Sequence, residues 1–185
     1  MLFRSLAGGQ YLSFCNGKLE KHTYHCYVPN RNLVESKDQI IDELHHRFEN
    51  AVKLEYEKDR SYGYKSMATL SGGLDSRMVV MSAHQQGYDD QLAICFSQND
   101  SLDEKIAKKI AAELGIEFLF NSLDHGRFLR NVRKNVEYNF GHVFYSGSAH
   151  GFNFLEKLNF EPYGILHSGM LGDAILGTYL KAPKH

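Results

Sequence analysis

The residues best able to do chemistry are Ser71, Gly72, Gly73, Leu74, Asp75 and Ser76, which place two glycines, two hydroxyls and a carboxylate within one short run. Gly72 and Gly73 reach backbone conformations closed to other residues and let main-chain N–H groups come close to an anion, while Ser71 and Ser76 add hydroxyl donors. Between a strand and a helix, such a loop presents unpaired amides and the positive end of the helix dipole, a combination that holds phosphate. Asp75 is the odd member. A carboxylate beside a polyphosphate is repelled unless a cation lies between them, and Mg²⁺ is the hard, oxygen-seeking ion that accompanies nucleotides. The run therefore points to a magnesium nucleotide. It lacks the Gly-Lys-Ser/Thr ending of the Walker A loop and the third glycine of the dinucleotide fingerprint. Five fixed positions of this kind match by chance in about 1 in 10,000 chains of this length.

A strand must lead into such a loop and a helix must follow it. Tyr64 to Leu70 reads as that strand and Ser76 to Gln86 as that helix. The alternation continues with a strand at Gln91 to Phe96, a helix at Ser101 to Leu114 and a strand at Glu117 to Phe120. Phe128 to Tyr138 then reads as a helix, Gly151 to Leu158 as a weaker one, and Tyr163 to His167 as a last strand. Ser101-Leu102-Asp103-Glu104 is a capping box, Ile106, Ile110 and Leu114 mark the buried face behind it, and Gly87 and Gly115 stand where left-handed C-terminal caps belong. Parallel strands with helical crossovers follow, giving an α/β fold with a doubly wound sheet whose ligands collect at the carboxyl ends of the strands.

Ahead of this unit, Tyr11 to Cys15 and Lys18 to Tyr27 flank Asn16-Gly17, the signature of a type I′ hairpin. Ser36-Lys37-Asp38-Gln39 is a second capping box, opening a helix from Lys37 to about Tyr56 with Ile41, Leu44, Phe48, Ala51 and Val52 as its apolar stripe. Lys53, Lys58, Arg60 and Lys65 alternate with Glu55, Glu57 and Asp59 and read as a solvated helix face. A boundary falls between Pro29 and Ser36, where the hairpin gives way to the alternating unit.

A formal net charge of -1 argues against a nucleic-acid or anionic-membrane surface, leaving a small molecule or a protein as partner. No stretch approaches the roughly 20 apolar residues of a membrane span, and the start is interrupted too soon for a secretory signal, so a cytoplasmic location is expected. Cys15, Cys26 and Cys95 lack a metal-ligand spacing and are expected to be free, buried thiols. His22, His25 and Cys26 fall on one strand with His25 facing away, which is poor zinc geometry. Asp124-His125, His142, His150 and Ser146 to Ser148 read as loop residues, and Phe140, Phe144, Tyr145, Phe152 and Phe154 as core or interface aromatics.

The hexapeptide resembles the signature loop of the PP-loop ATP pyrophosphatases (adenine nucleotide alpha hydrolase-like), which cleave ATP between its alpha and beta phosphates. Within that group the chain best resembles the synthetase domain of glutamine-hydrolysing asparagine synthetase, over roughly residues 3 to 181. Asp103-Glu104, Ile106, Ala107, Ala111 and Leu114-Gly115 resemble the family's second helix. Leu166-His167-Ser168-Gly169-Met170-Leu171-Gly172-Asp173-Ala174-Ile175-Leu176-Gly177 is similar to its strand-end Leu-Ser-Gly-Glu-Gly-Gly-Asp-Glu-Leu-Phe-Gly-Gly. Gly9, the Asn16-Gly17 hairpin and Tyr27 resemble the last strands of the glutaminase domain that precedes it.

The resemblance implies that Leu70 and Phe96 contact adenosine, with Ile94 as the alternative to Phe96, and that Ser71, Gly72, Gly73, Asp75 and Ser76 hold the pyrophosphate. It makes Asp75 and Asp173 the catalytic, Mg²⁺-sharing pair and lets Ser168 and Gly169 line the acyl-adenylate pocket. A substrate carboxylate would attack the alpha phosphate of ATP, pyrophosphate would leave, and ammonia or an amine would then form the amide. Residues 1–32 would be a glutaminase-like remnant with its linker, and 33–185 an ATP-binding domain truncated at its C-terminus. No Cys follows Met1, the residues before Ser36 leave no room for a glutaminase domain, and the family's C-terminal helices have no counterpart after Leu180. A fragment, a split subunit or a degenerate relative is expected, with a glutaminase or C-terminal chain as candidate partner.

Met170 and Ala174 stand where the asparagine-forming enzymes carry glutamates, which suggests another acid, another amine or no chemistry. Arg77 replaces a small residue and reads either as a phosphate or carboxylate ligand or as a solvated, ion-paired cation. A non-catalytic nucleotide-binding module is the alternative function. Another PP-loop enzyme, such as a tRNA thiolase or an NAD or GMP synthetase, is disfavoured by the Ser168 to Gly177 segment.

Overall fold

Asn16 (φ 50°) and Gly17 (φ 78°) both take the left-handed conformation that a type I′ turn requires. Strands β1 (Gln10–Cys15) and β2 (Lys18–Thr23) therefore pair antiparallel, from Gln10 opposite Thr23 to Cys15 opposite Lys18. Tyr11 stacks on His22 across the ladder with ring centroids 5.0 Å apart, and His22 Nε2 lies 2.8 Å from Ser13 Oγ. The computed structural model describes residues 5–26, 36–138, 150–151 and 156–170 of the chain. Tyr27, the boundary stretch from Pro29, His142, Ser146 to Ser148 and the five phenylalanines and tyrosines between 140 and 154 lie outside the described residues, as does everything after Met170. The chain divides into two compact units, Met1–Asp42 with the hairpin and Glu43–His185 with the sheet.

Helix α1 (Lys37–Ser61) begins with a reciprocal capping box, in which Gln39 N–H donates to Ser36 Oγ (3.3 Å) and Ser36 N–H donates to Gln39 Oε1 (2.9 Å). The helix runs past Tyr56, and its buried residues are Val52, Tyr56 and Asp59 at spacings of four and three. Ile41, Leu44 and Ala51 are exposed, so the expected stripe holds only around Phe48 and Val52 and then continues through Tyr56. The expected solvated face holds at Lys53, Glu55, Glu57, Lys58 and Arg60, which are exposed, and fails at Asp59. Asp59 is only 1% exposed, Arg60 lies over the Tyr88 ring, and Lys65 pairs with Asp90 at 2.8 Å.

In the larger unit, β3 (Lys65–Thr69), β4 (Gln91–Ser97), β5 (Glu117–Ser122) and β6 (Tyr163–His167) form one parallel sheet in the order β5-β4-β3-β6. Helices α2 (Leu74–Gln85) and α3 (Leu102–Leu114) make the crossovers from β3 to β4 and from β4 to β5. This is the expected α/β fold with a parallel sheet preceded by a hairpin. Alternate strand residues serve the two faces. Ala68, Leu70, Ala93 and Cys95 pack on Val80 of α2 and on Ala107 and Ala111 of α3, while Met67, Leu92 and Ile94 face the other way with Phe96, Leu158 and Tyr163. Val52 and Tyr56 of α1 meet Val79, Ala83 and Tyr88 in a third cluster. Gly115 ends α3 in the left-handed conformation (φ 68°), as expected of its position.

The chain after β5 differs from expectation. A 3-10 segment occupies Asp124–Asn131 and is kinked at His125 and Gly126, both at positive φ. Helix α4 (Val132–Tyr138) begins only after it. Of the weaker helix expected at Gly151 to Leu158, the described residues are turns and a bend.

Strand β6 is held to α1 by a buried polar network. Its pairing with β3 carries an irregularity, because Lys65 and Met67 oppose Tyr163 and Leu166, so β6 has one extra residue. Ile165 N–H turns out of the ladder there and donates to Asp59 Oδ1 at 2.9 Å. Gly164 packs so closely on the same carboxylate that a Cβ would overlap it. At the strand's end His167 is fully buried, with Nε2 2.8 Å from Asp59 Oδ2, Nδ1 3.3 Å from Glu55 Oε2 and its ring stacked 4.0 Å from that of Tyr56. Burial, with Glu55 and Asp59 nearby, pushes the Tyr56 phenol well above its ordinary range, and its O–H donates to Gln91 Oε1 (3.2 Å).

Removing one partner from a buried network of this kind leaves the other polar groups unsatisfied, so Asp59→Ala should lower the unfolding free energy by about 3 kcal/mol or more, read from denaturant titration. The thiols give a second test, since Cys15 and Cys26 are exposed, against expectation, whereas Cys95 is buried. Burial pushes the Cys95 thiol up to about 11, leaving little thiolate near neutrality. Iodoacetamide at about pH 8 should modify Cys15 and Cys26 in the native chain and reach Cys95 only after denaturation, as counted by mass spectrometry.

Candidate functional site

The strand order places the site. From β3 the chain steps outward to β4 and β5 and then returns to the opposite side of β3 as β6, so the switch point lies between the carboxyl ends of β3 and β6. The loops that leave those two ends are Leu70 to Leu74 and Ser168 to Met170. Leu70 is fully buried in the core, and its N–H donates to Ile94 O at 2.8 Å, which fixes the point where the loop departs.

Side chains of the loop itself shape it. Ser76 Oγ accepts the Ser71 N–H (3.0 Å) and can donate to Gly73 O (3.3 Å), and Ser71 Oγ accepts the Gly73 N–H (3.1 Å). The two hydroxyl oxygens lie 3.0 Å apart. With Ser76 turned to Gly73, the Ser71 proton is left to point either to Ser76 or outward. Gly73 is the N-cap of α2 and has no side chain to cap it, so no cap side chain takes the first-turn amides, which carry the positive end of the helix dipole. Asp75 sits in this first turn, half-buried. Arg77 Nε donates to Gly73 O at 3.2 Å, which turns its guanidinium back along the loop. Arg77 also lines a groove of about 220 Å³ with Phe48, Leu74, Met78 and Met81.

Two other segments close on the loop. A Cβ on Gly169 would stand 2.5 Å from the carbonyl carbon of Asp75 and 2.7 Å from Ser76 N, so the backbone after β6 lies directly on the first turn of α2. From the other side, α3 brings Asp103, whose Oδ1 accepts the Gly72 N–H at 2.8 Å. At this end Ser101 Oγ accepts the Glu104 N–H (3.2 Å) as expected of the capping box, while Glu104 Oε2 accepts the N–H of Asp100 (2.7 Å) in place of that of Ser101.

Of the residues expected at the site, the structure thus brings Ser71, Gly72, Gly73, Asp75 and Ser76 together with Gly169 and its neighbour Ser168. Ser168 Oγ accepts the Met170 N–H (3.3 Å), and the Met170 side chain is 83% exposed. Phe96 is half-buried near the end of β4 on the opposite face from Leu70, and Ile94 is fully buried behind it. Asp173 and Ala174 lie outside the described residues. Among the described residues no three His, Cys, Asp or Glu side chains come together to hold a metal, and Asp75 is the carboxylate on the loop. For Mg²⁺ the fit is therefore that of one hard oxygen donor on the first turn of a helix.

Asp103 and His167 were missed by sequence reasoning. For Asp103 the signal was a second acid in a capping box that needs only one. For His167 it was the four-residue spacing of Glu55 and Asp59, which sets two acids on the side of α1 that buries Val52 and Tyr56.

No curated protein matches the chain. Among solved structures it is similar to the NH3-dependent NAD synthetase from Campylobacter jejuni subsp. jejuni NCTC 11168, in complex with the nitrate ion, at 13% identity and a TM-score of 0.43. That match covers 68% of this chain and 54% of the other, so the chain spans about half the length of the structure it matches. Residues 43–185 match the asparagine synthase family, a stretch that contains the whole parallel sheet and both segments of the site. The chain belongs to the asparagine synthase family.

Proposed function

We propose that this chain is the ATP-dependent adenylating module of an amide ligase, activating a carboxylate with release of pyrophosphate before ammonia or an amine attacks. The observation that carries the reading is the contact of Gly169 with Asp75 and Ser76, which joins the two segments expected to hold the nucleotide at the switch point of the sheet. The loop hydroxyls and the uncapped first turn of α2 would hold the phosphates, and the main chain at Leu70 with Phe96 would take the adenosine. Ser168 and Gly169 would line the pocket of the acyl adenylate. Asp75 and Asp173 would hold Mg²⁺, which when bound screens the polyphosphate and stabilises the departing pyrophosphate. The chain's own groups orient the alpha phosphate toward the attacking carboxylate and keep the leaving group in place.

In this reading residues 1–32 are the end of a glutaminase-like domain with its linker, 33–185 are the nucleotide-binding domain, and the work is cytoplasmic. Among the described residues no helix is long and apolar enough to cross a membrane. The exposed Met170, in place of a family glutamate, favours a second reading, a nucleotide-binding module that is non-catalytic or needs a partner chain.

Exchange of labelled pyrophosphate into ATP, with Mg²⁺ and a panel of amino acids, decides between the two. Adenylation predicts exchange that depends on one acid and falls about 100-fold or more in Asp75→Ala. Binding of ATP without exchange, even with a complementing C-terminal chain, supports the module, and release of ADP and phosphate overturns adenylation. Gly169→Ala should weaken ATP binding about tenfold or more in calorimetry, because the added methyl must push the end of β6 off the Asp75–Ser76 peptide.

A further inference from the structure

An acid beside a polyphosphate loop needs a reason, and the structure puts the Asp103 carboxylate 2.8 Å from the Gly72 N–H. Three consecutive loop amides are each taken by a side chain: Ser71 by Ser76, Gly72 by Asp103 and Gly73 by Ser71. One of those partners, Ser71, belongs to the loop and another, Ser76, to the helix that follows it, so Asp103 is the one that comes from a distant element. Glu104 is engaged with the N–H of Asp100 and its own N–H with Ser101, so Asp103 is the acid of the capping box that reaches out.

The space around Gly72 tells how the contact acts. A Cβ on Gly72 would meet Asp103 Oδ1 at 2.9 Å, Asp103 Cα at 3.3 Å and Ile106 Cδ1 at 3.4 Å. That side of the loop is filled by α3, so a phosphate oxygen cannot take the place of the carboxylate without displacing the helix. The first-turn amides of α2 begin two residues further on, after Gly73.

We propose that Asp103 is the positioning residue of the loop, anchoring the Gly72 amide to α3 through its carboxylate oxygen so that the first-turn amides of α2 face the polyphosphate. The inference rests on the nucleotide reading given above. Asp103 acts here as a hydrogen-bond acceptor, and its charge is incidental. It also ties the connection after β3, which would hold phosphates, to α3, the helix that follows the strand carrying Phe96.

The test compares the native chain with Asp103→Ala and Asp103→Asn in calorimetry with Mg-ATP and with adenosine, together with hydrogen exchange at the Gly72 amide. Asp103→Ala should bind Mg-ATP about tenfold more weakly, bind adenosine as the native chain does, and exchange the Gly72 amide faster. Asp103→Asn keeps an acceptor oxygen and should stay within about twofold of native in all three. Asparagine as weak as alanine would show that the charge matters, as in a metal ligand, and overturns the proposal. Tighter ATP binding by Asp103→Ala would mark the carboxylate as a plug and also overturns it, as does unchanged Gly72 exchange. If Asp103→Ala does not fold, Asp103→Ser, whose hydroxyl is too short to span the contact, carries the same comparison. If the native chain binds no ATP, the nucleotide reading fails, and Gly72 exchange in the same proteins decides the anchor alone.

Discussion

Asp59 turns both of its carboxylate oxygens to β6, one to the Ile165 N–H and the other to His167 Nε2. A carboxylate taken out of water costs more than any single contact returns, and it is tolerated when each oxygen is matched by a well-placed donor. Here the donors come from the strand that, among the described residues, lies alone on the far side of β3, so the solvation of one acid on α1 fixes where that strand runs. The Tyr56 ring beneath His167 and the Glu55 carboxylate at its other nitrogen leave the imidazole no second orientation. Everything the site receives from β6 is carried on this footing, because Ser168 and Gly169 follow His167 directly.

The extra residue in β6 and the buried acid explain one another. A regular parallel ladder would use the Ile165 amide, and the irregularity opposite Lys65 and Met67 turns it away toward Asp59. Gly164 lets the strand come against the carboxylate without a side chain in the way. Local disorder in the ladder is thus exchanged for a fixed distance between α1 and the sheet, which positions the end of β6 over the first turn of α2.

Much of the fold could be read from patterns of two and four residues. Asn16-Gly17, the two capping boxes and Gly115 each state a backbone conformation locally, and each is met. The alternation of strand and helix from Tyr64 to Phe120 followed from the same short-range signals, as did the place of the phosphate-type loop. The errors fall where long-range contacts overrule local pattern. Asp59 was read as solvated because it stands among Lys58, Arg60 and Glu57, and only the arrival of His167 from more than a hundred residues away makes it a core residue. Ile41 and Leu44 looked like the core face because they are apolar at helical spacing, whereas burial follows Val52 and Tyr56. Cys15 and Cys26 were judged by the strands expected to carry them, but β2 ends at Thr23 and a two-stranded hairpin has no interior of its own.

Gly72, Gly164 and Gly169 share a property that the loop motif alone does not reveal: at each, two stretches of the molecule meet where a side chain would have to fit. The frame of the site is therefore largely main chain against its neighbours, closed at the points where β3, β6 and α3 converge. Side chains on the rim, Met170 among them, stand outside that frame. A frame of this kind separates two tasks that many pockets combine, so replacing the rim can redirect what is recognised while the loop proposed for the phosphates stays where it was.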